Sequence, residues 1–144
     1  MTRHLVLSET PSYLAYGGAV AEADYEAASR HARATLERAR ELEDQHASMH
    51  LLCAIGDAEA RLNRRAESDA AYAAAVALDP SFPLCQLLWA RCVATIFQDE
   101  IAARERLEQV YRLLEVPAES ESEERLRRYY KTIIEETREA FAHP

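Results

Sequence analysis

The residues whose types and spacing could do chemistry are His46, His50 and Cys53. They follow one another at steps of four and three, so on a helix they share one face. Imidazole and thiolate both ligate zinc or copper, which makes the stripe a candidate metal site. The segment reads HASMH and lacks the glutamate of the HExxH metalloproteases, and one helix stripe supplies at most three ligands. A small metal-binding protein and an ordinary row of groove or surface side chains are both open readings. The chain contains no glycine-rich phosphate loop, no nucleophile elbow and no paired-cysteine zinc motif. Its few serines fall in turns and caps, or on helix faces without an obvious histidine base. No cofactor is expected, and the chain does not read as an enzyme.

The elements that position these residues are helices. With 144 residues the chain is one domain or a short array, long enough to bury a sizeable core. Three glycines leave little room for hairpins, while alanine, glutamate and arginine are plentiful, which favours an all-α fold. The organising stretch is Leu62 to Pro80, LNRRAESDAAYAAAVALDP. Leu52, Ile55, Gly56 and Leu62 give His46 to Leu62 an amphipathic pattern, and Asn63 suits a left-handed cap at its end. Ala66 to Leu78 is alanine-rich, with Tyr72, Ala75, Val76 and Leu78 as its apolar stripe, and Pro80 stops it. Such a helix must lie close against a neighbour. Ala71, Ala74 and Ala75 permit that from one side and Gly56 from the other.

The same pattern extends in both directions. Residues 1–9 read as an arm, with Leu5 and Leu7 on one side if it is extended. Thr10 and Pro11 read as an N-cap and first turn of a helix running to about Glu22. Adjacent Gly17 and Gly18 would serve either tight packing against the next helix or the approach of a ligand backbone. Asp24 caps a helix from Tyr25 to about Asp44, with Tyr25, Ala28, Ala32, Leu36 and Ala39 inward. Beyond Pro83, Leu84 to Phe97 carries Leu87, Leu88, Trp89, Val93 and Ile96. Asp99 caps Glu100 to Leu114, with Ala103, Leu107, Val110 and Leu114 inward. After an acidic linker, Ser120 and Glu123 are spaced as a capping box, with Ser122 a competing cap. The last helix, Glu123 to Ala142, aligns Leu126, Tyr130, Ile133, Thr137 and Phe141, widened by Tyr129 and Ile134. It reads as a terminal helix over the open end of a repeat stack, or as a face for homo-oligomer formation.

Residues 49–82 resemble the tetratricopeptide repeat, a helix-turn-helix unit of about 34 residues. The likeness is carried by Leu52, Ile55, Gly56, Leu62, Tyr72, Ala75, Leu78, Asp79 and Pro80. Ser68 replaces the usual alanine, and Glu59 stands where a large apolar residue is usual. Glu59 is paired with an arginine or lies at an edge. The stretch ADYEAA at residues 23–28 repeats the signature, and Ala28 to Ser68 spans 40 residues, a stretched period. The resemblance implies about three helix pairs over residues 10–117, then an acidic linker and a capping helix over 118–144. It also implies that the first helix of each pair lines a concave surface. Mapped onto this chain, that surface takes His50, Cys53, Asp57, Ala60 and Arg61 from the central pair. From the third pair it takes Leu84, Leu87, Arg91, Ala94 and Thr95, and from the first Leu14, Gly18 and Ala21.

A mixed groove of that kind suits an apolar peptide or helix bearing one or two charges. The expected function is a non-catalytic adaptor, scaffold or chaperone. The other reading is an inhibitor or immunity-type protein that blocks an enzyme by an acidic surface. Seventeen basic and 25 acidic side chains leave a formal charge of −8, a poor footprint for nucleic acid. No apolar run reaches membrane-spanning length, and Met1 to Ser8 is too short for a secretory signal. Cys53, Cys85 and Cys92 are an odd, scattered set rather than a disulfide framework, which points to a reducing, cytoplasmic setting.

Overall fold

The computed structural model describes residues 3–141. The described residues form a 3-10 turn, Leu7–Glu9, and seven α-helices. These are α1 (Pro11–Ala21), α2 (Tyr25–Glu41), α3 (Gln45–Arg61), α4 (Arg65–Leu78), α5 (Pro83–Thr95), α6 (Glu100–Leu114) and α7 (Glu121–Glu139). No strand occurs among the described residues. The chain is all-α, built of helix-turn-helix pairs with a C-terminal helix. No helix among them is long and apolar enough to cross a membrane. The helices gather into two compact units, one ending at Asp79 and the other beginning at Pro80.

In the first unit one turn design recurs every 20 residues. Ala23, Glu43 and Asn63 all adopt left-handed backbone, with φ of 56°, 56° and 60°. Each is followed by the N-cap of the next helix, whose amide reaches back across the turn. Asp24 donates to the Ala19 carbonyl at 2.8 Å, Asp44 to Ala39 at 2.9 Å and Arg64 to Glu59 at 2.9 Å. These bonds satisfy carbonyls that the helix ends would otherwise leave open. The Asp24 and Asp44 carboxylates then cap the next helix by accepting from the amides of Ala27 and Ala47. The left-handed cap read at Asn63 is present. Asp44 belongs to the start of α3 rather than to α2, because α2 ends at Glu41.

Successive helices of this unit pack as antiparallel neighbours through small side chains. Ala28, Ala32, Ala39, Ala60 and Ala75 are fully buried. The closest approach is between α3 and α4. A Cβ added at Gly56 would lie 2.6 Å from the Tyr72 ring. The Ser68 hydroxyl, at the position where alanine is usual, donates to the Gly56 carbonyl at 2.7 Å. Glu59 is 3% exposed and is held by the Ser29 hydroxyl at 2.7 Å and by Arg33 and Arg64, each at 3.4 Å. Of the two alternatives for Glu59, arginine pairing is the one observed. Ala28 and Ser68, 40 residues apart, are both buried at the same place in their helices.

The structure bears on three further local expectations. Thr10 is the N-cap residue of α1 with Pro11 in its first turn, as expected, but its hydroxyl donates to the Val6 carbonyl at 2.8 Å and makes no capping bond to the helix. Gly17 and Gly18 are exposed, and an added Cβ would meet nothing within 4 Å, so they serve no tight helix packing. The arm is not extended throughout: it turns at Leu7–Glu9, and the Leu5 amide donates to the Asp44 carboxylate.

In the second unit α5 packs against both α6 and α7. Leu87, Ala90, Leu107, Val110, Tyr130, Ile133 and Ile134 form its core. Gln98, with φ of 53°, and the Asp99 cap build the α5–α6 turn. Before α7 the capping box forms in a displaced version: Ser120 accepts from the Glu123 amide, and the Glu123 carboxylate accepts from the Glu119 amide. Ser120 therefore prevails over Ser122, and α7 begins at Glu121. Arg127 donates to the carbonyls of Leu114 and Val116, which ties the end of α6 to α7. Leu126, expected inward, is exposed, as is Tyr129. The end of the expected α7 at Ala142 lies outside the described residues.

Candidate functional site

The expected groove residues separate by unit and by burial. On α3, His50 and Asp57 are half-buried and Arg61 is exposed, whereas Cys53 and Ala60 are buried. On α5, Leu87 and Ala94 are buried, at 0% and 1% exposed. Leu84 is half-buried against the same core as Leu87. Arg91 faces Glu136 of α7 at 3.8 Å, and Thr95 is exposed with its hydroxyl donating to the Arg91 carbonyl. For Leu84 and Leu87 the physical reason is α7. Its Tyr130, Ile133 and Ile134 need an apolar partner and find it on the α5 face that the repeat pattern assigns to the groove. That contact also covers Tyr130, Ile133 and Ile134 of the α7 stripe, read as a terminal cap or as a homo-oligomer face, and leaves Leu126 and Tyr129 exposed.

The polar residues of the α3 face have company on α1. Tyr16 packs on Ala19, Ala27, Ala28 and Ala58, which brings α1 against α3. Burial, then the nearby Asp57 charge, pushes the Tyr16 phenol up to about 12. Arg61 donates to Asp57 at 3.1 Å and its guanidinium lies 5.4 Å from the centre of the Tyr25 ring. Tyr13 stacks obliquely on Tyr16, with ring centroids 5.5 Å apart. Beside this cluster α1 shows a feature that helix assignment alone does not reveal. Its eleven residues, PSYLAYGGAVA, carry no charge. Leu14, Gly17, Gly18 and Ala21 recur at helical spacing and all four are exposed, Leu14 at 58%.

The metal-candidate stripe resolves into a pair. The Nε2 atoms of His46 and His50 lie 3.1 Å apart, with the rings edge to face. Cys53 is buried, and no three His, Cys, Asp or Glu side chains converge among the described residues. Burial, then the neighbouring His46, lowers the His50 pKa. Next to them is the Asp44 carboxyl. Burial raises its pKa, but the amides of Ala47 and Leu5, with His4 and His46, draw it below the ordinary value.

Two clefts lie outside the sequence-based expectation. In the first unit, α2 and α4 flank α3 and leave a channel whose floor is Leu36, Leu52 and Ile55 and whose walls include Arg33, Arg40, Ala71 and Ala74. In the second unit a cleft of about 610 Å³ opens between α6 and the end of α7. Ile101, Arg104, Leu107, Tyr111, Arg138 and Phe141 line it, and Arg104 stands 5.6 Å over the Phe141 ring. A second stripe on α6, Ile101 to Arg104 to Glu108 to Tyr111, carries the signal for this cleft in the sequence.

No protein-family model, no curated protein and no solved structure matches this chain.

Proposed function

We propose that the chain is a non-catalytic protein-interaction module of tetratricopeptide-like character, acting as an adaptor or chaperone. Its first unit takes an apolar helix or peptide of a partner on α1 and the adjoining edge of α3. The observation that carries this reading is the uncharged, exposed stripe Leu14, Gly17, Gly18 and Ala21. Surface helices of globular proteins carry polar residues outward, and a bare apolar face is a docking signature. The two glycines, with open space where a Cβ would be, let a partner's backbone come close. Tyr13, Tyr16 and Arg61 supply the aromatic and arginine types that anchor interfaces. Asp57 and Arg61 offer one or two charges to the rim. Buried cysteine thiols at 53, 85 and 92 support a reducing, cytoplasmic setting.

The test is capture of partners from a lysate of the source cell with three baits: wild type, Leu14→Glu and Leu126→Glu. Leu14 and Leu126 are both exposed, so both variants should fold. A partner held by wild type and Leu126→Glu but lost by Leu14→Glu is the expected result. A partner held equally by all three would refute the α1 face as the docking site.

A further inference from the structure

We infer that His46 and His50 form a two-point chelate for one divalent transition-metal ion, with copper(II) the preferred occupant. The inference stands independently of the protein-binding reading.

The geometry carries the argument. The two Nε2 atoms are 3.1 Å apart on one helix face, one turn from each other. With metal–nitrogen bonds of about 2.0–2.1 Å, that separation subtends roughly 95–102° at a shared ion. That lies between the right angle of a square-planar or tetragonal sphere and the tetrahedral angle, so neighbouring corners of either sphere are within reach. Tetragonal nitrogen sites favour copper(II) or nickel(II), and copper binds most tightly among the divalent first-row ions. The helix backbone fixes both rings in advance, so the second nitrogen binds without a further search.

The surroundings suit an open, exchangeable site. His46 is exposed and His50 half-buried, which leaves one side of the pair to water. No third His, Cys, Asp or Glu converges with them among the described residues, so solvent completes the sphere. The positive end of the α3 dipole opposes a cation here. The Asp44 carboxylate, the N-cap of the same helix, offsets it. In the metal-free protein the two Nε2 atoms lie within hydrogen-bond distance; on binding, the proton between them moves to Nδ1 of its own ring, so two neutral imidazoles present their Nε2 lone pairs to the ion.

The experiment uses the full chain without an affinity tag, stripped with a chelator and titrated with copper(II) alone. Calorimetry should give one tight equivalent, and electron paramagnetic resonance should show two imidazole nitrogens. His46→Gln and His50→Gln should each weaken binding roughly a hundredfold, the advantage of an intramolecular second contact. His4→Gln and His31→Gln should change nothing. Acidification to about pH 5 should release the ion, because both imidazoles must be neutral. Three results would overturn the inference. They are binding by the His46→Gln, His50→Gln double variant equal to wild type, a one-nitrogen spectrum, or no tight equivalent in the wild type.

Discussion

Adding one methyl group should have opposite effects at two places in this chain. Gly56 lies on α3 where the Tyr72 ring of α4 comes closest. A Cβ there would sit 2.6 Å from Cδ2 and Cε2 of that ring and 3.0 Å from Cζ. Comfortable carbon–carbon contact is about 3.5–4.0 Å, so the ring or the helix must retreat by about 1 Å. Tyr72 is 1% exposed and has nowhere to go, and the Ser68 hydroxyl bond to the Gly56 carbonyl pins α3 and α4 together at the same point. Overpacking of this kind costs about 1–3 kcal/mol. Alanine recovers about 1 kcal/mol of helix propensity, which leaves a net loss of up to roughly 2 kcal/mol. At Gly17 and Gly18 nothing stands within 4 Å of the added atom. There the propensity term acts alone, and each alanine should stabilise by about 0.5–1 kcal/mol. Thermal and urea melts followed by circular dichroism measure both. The decisive control is Gly56→Ala in a Tyr72→Leu background, where the loss should shrink because the ring that objects is gone. If Gly56→Ala raises the melting temperature, or its cost is the same in both backgrounds, the close approach of α3 and α4 is not what the glycine serves.

Other expectations follow from single residues. Tyr72→Ala should cost about 3–5 kcal/mol, a large share of a typical total of about 5–15 kcal/mol, and a variant melting within a few degrees of wild type would refute the burial argument. Leu87→Ala should cost about 2–5 kcal/mol and strip hydrogen-exchange protection from α5 and α7, whereas a groove residue would cost little and expose nothing. Ala23 pays for its left-handed backbone, so Ala23→Gly should gain about 0.5–1 kcal/mol in the same melts, and a loss would argue against that conformation. Burial raises the Glu59 pKa, but the Ser29 and Arg33 hydrogen bonds and the Arg33 and Arg64 charges bring it below the ordinary value. Its stabilisation is therefore complete above the unfolded value of about 4.3 and is lost as pH falls through the lower folded value. Glu59→Gln should flatten the acid limb of the stability curve, and an unchanged limb would remove Glu59 from that account.

What was legible in the sequence was whatever is set locally. Asp24 and Asp99 caps, the left-handed Asn63, the stop at Pro80 and the inward stripes of α2 and α6 depend on neighbours within a turn or two. Glu43 and Gln98 show the limit: they occupy the same left-handed position as Asn63, yet neither residue type announces it. The turn bonds from Asp44 to Ala39 and from Asp99 to Val93 hold them there. The candidate site was legible only in part, because a face of a helix is open or closed according to what another helix does. Leu87 has the right spacing for a groove, and α7 packs over it. Gly17 and Gly18 have the composition of a packing contact, and no neighbour arrives.

The outer faces of α1 and α7 differ. In the second unit α7 turns out Glu124, Arg125, Arg128, Lys131, Glu135 and Arg138, all exposed, with Leu126 and Tyr129 among them. That face is mostly charged, as a surface helix facing water requires. The first unit ends on α1, whose outward residues are Leu14, Gly17, Gly18 and Ala21. Helix propensity does not explain this choice, since adjacent glycines weaken an eleven-residue helix by about 1–2 kcal/mol in total. Packing within the chain does not explain it either, since nothing lies near those glycines. The proposed partner contact on this face would account for both the missing charges and the missing side chains. It is the reason the proposal keeps the α1 and α3 part of the groove that the repeat pattern implied and leaves out the α5 part.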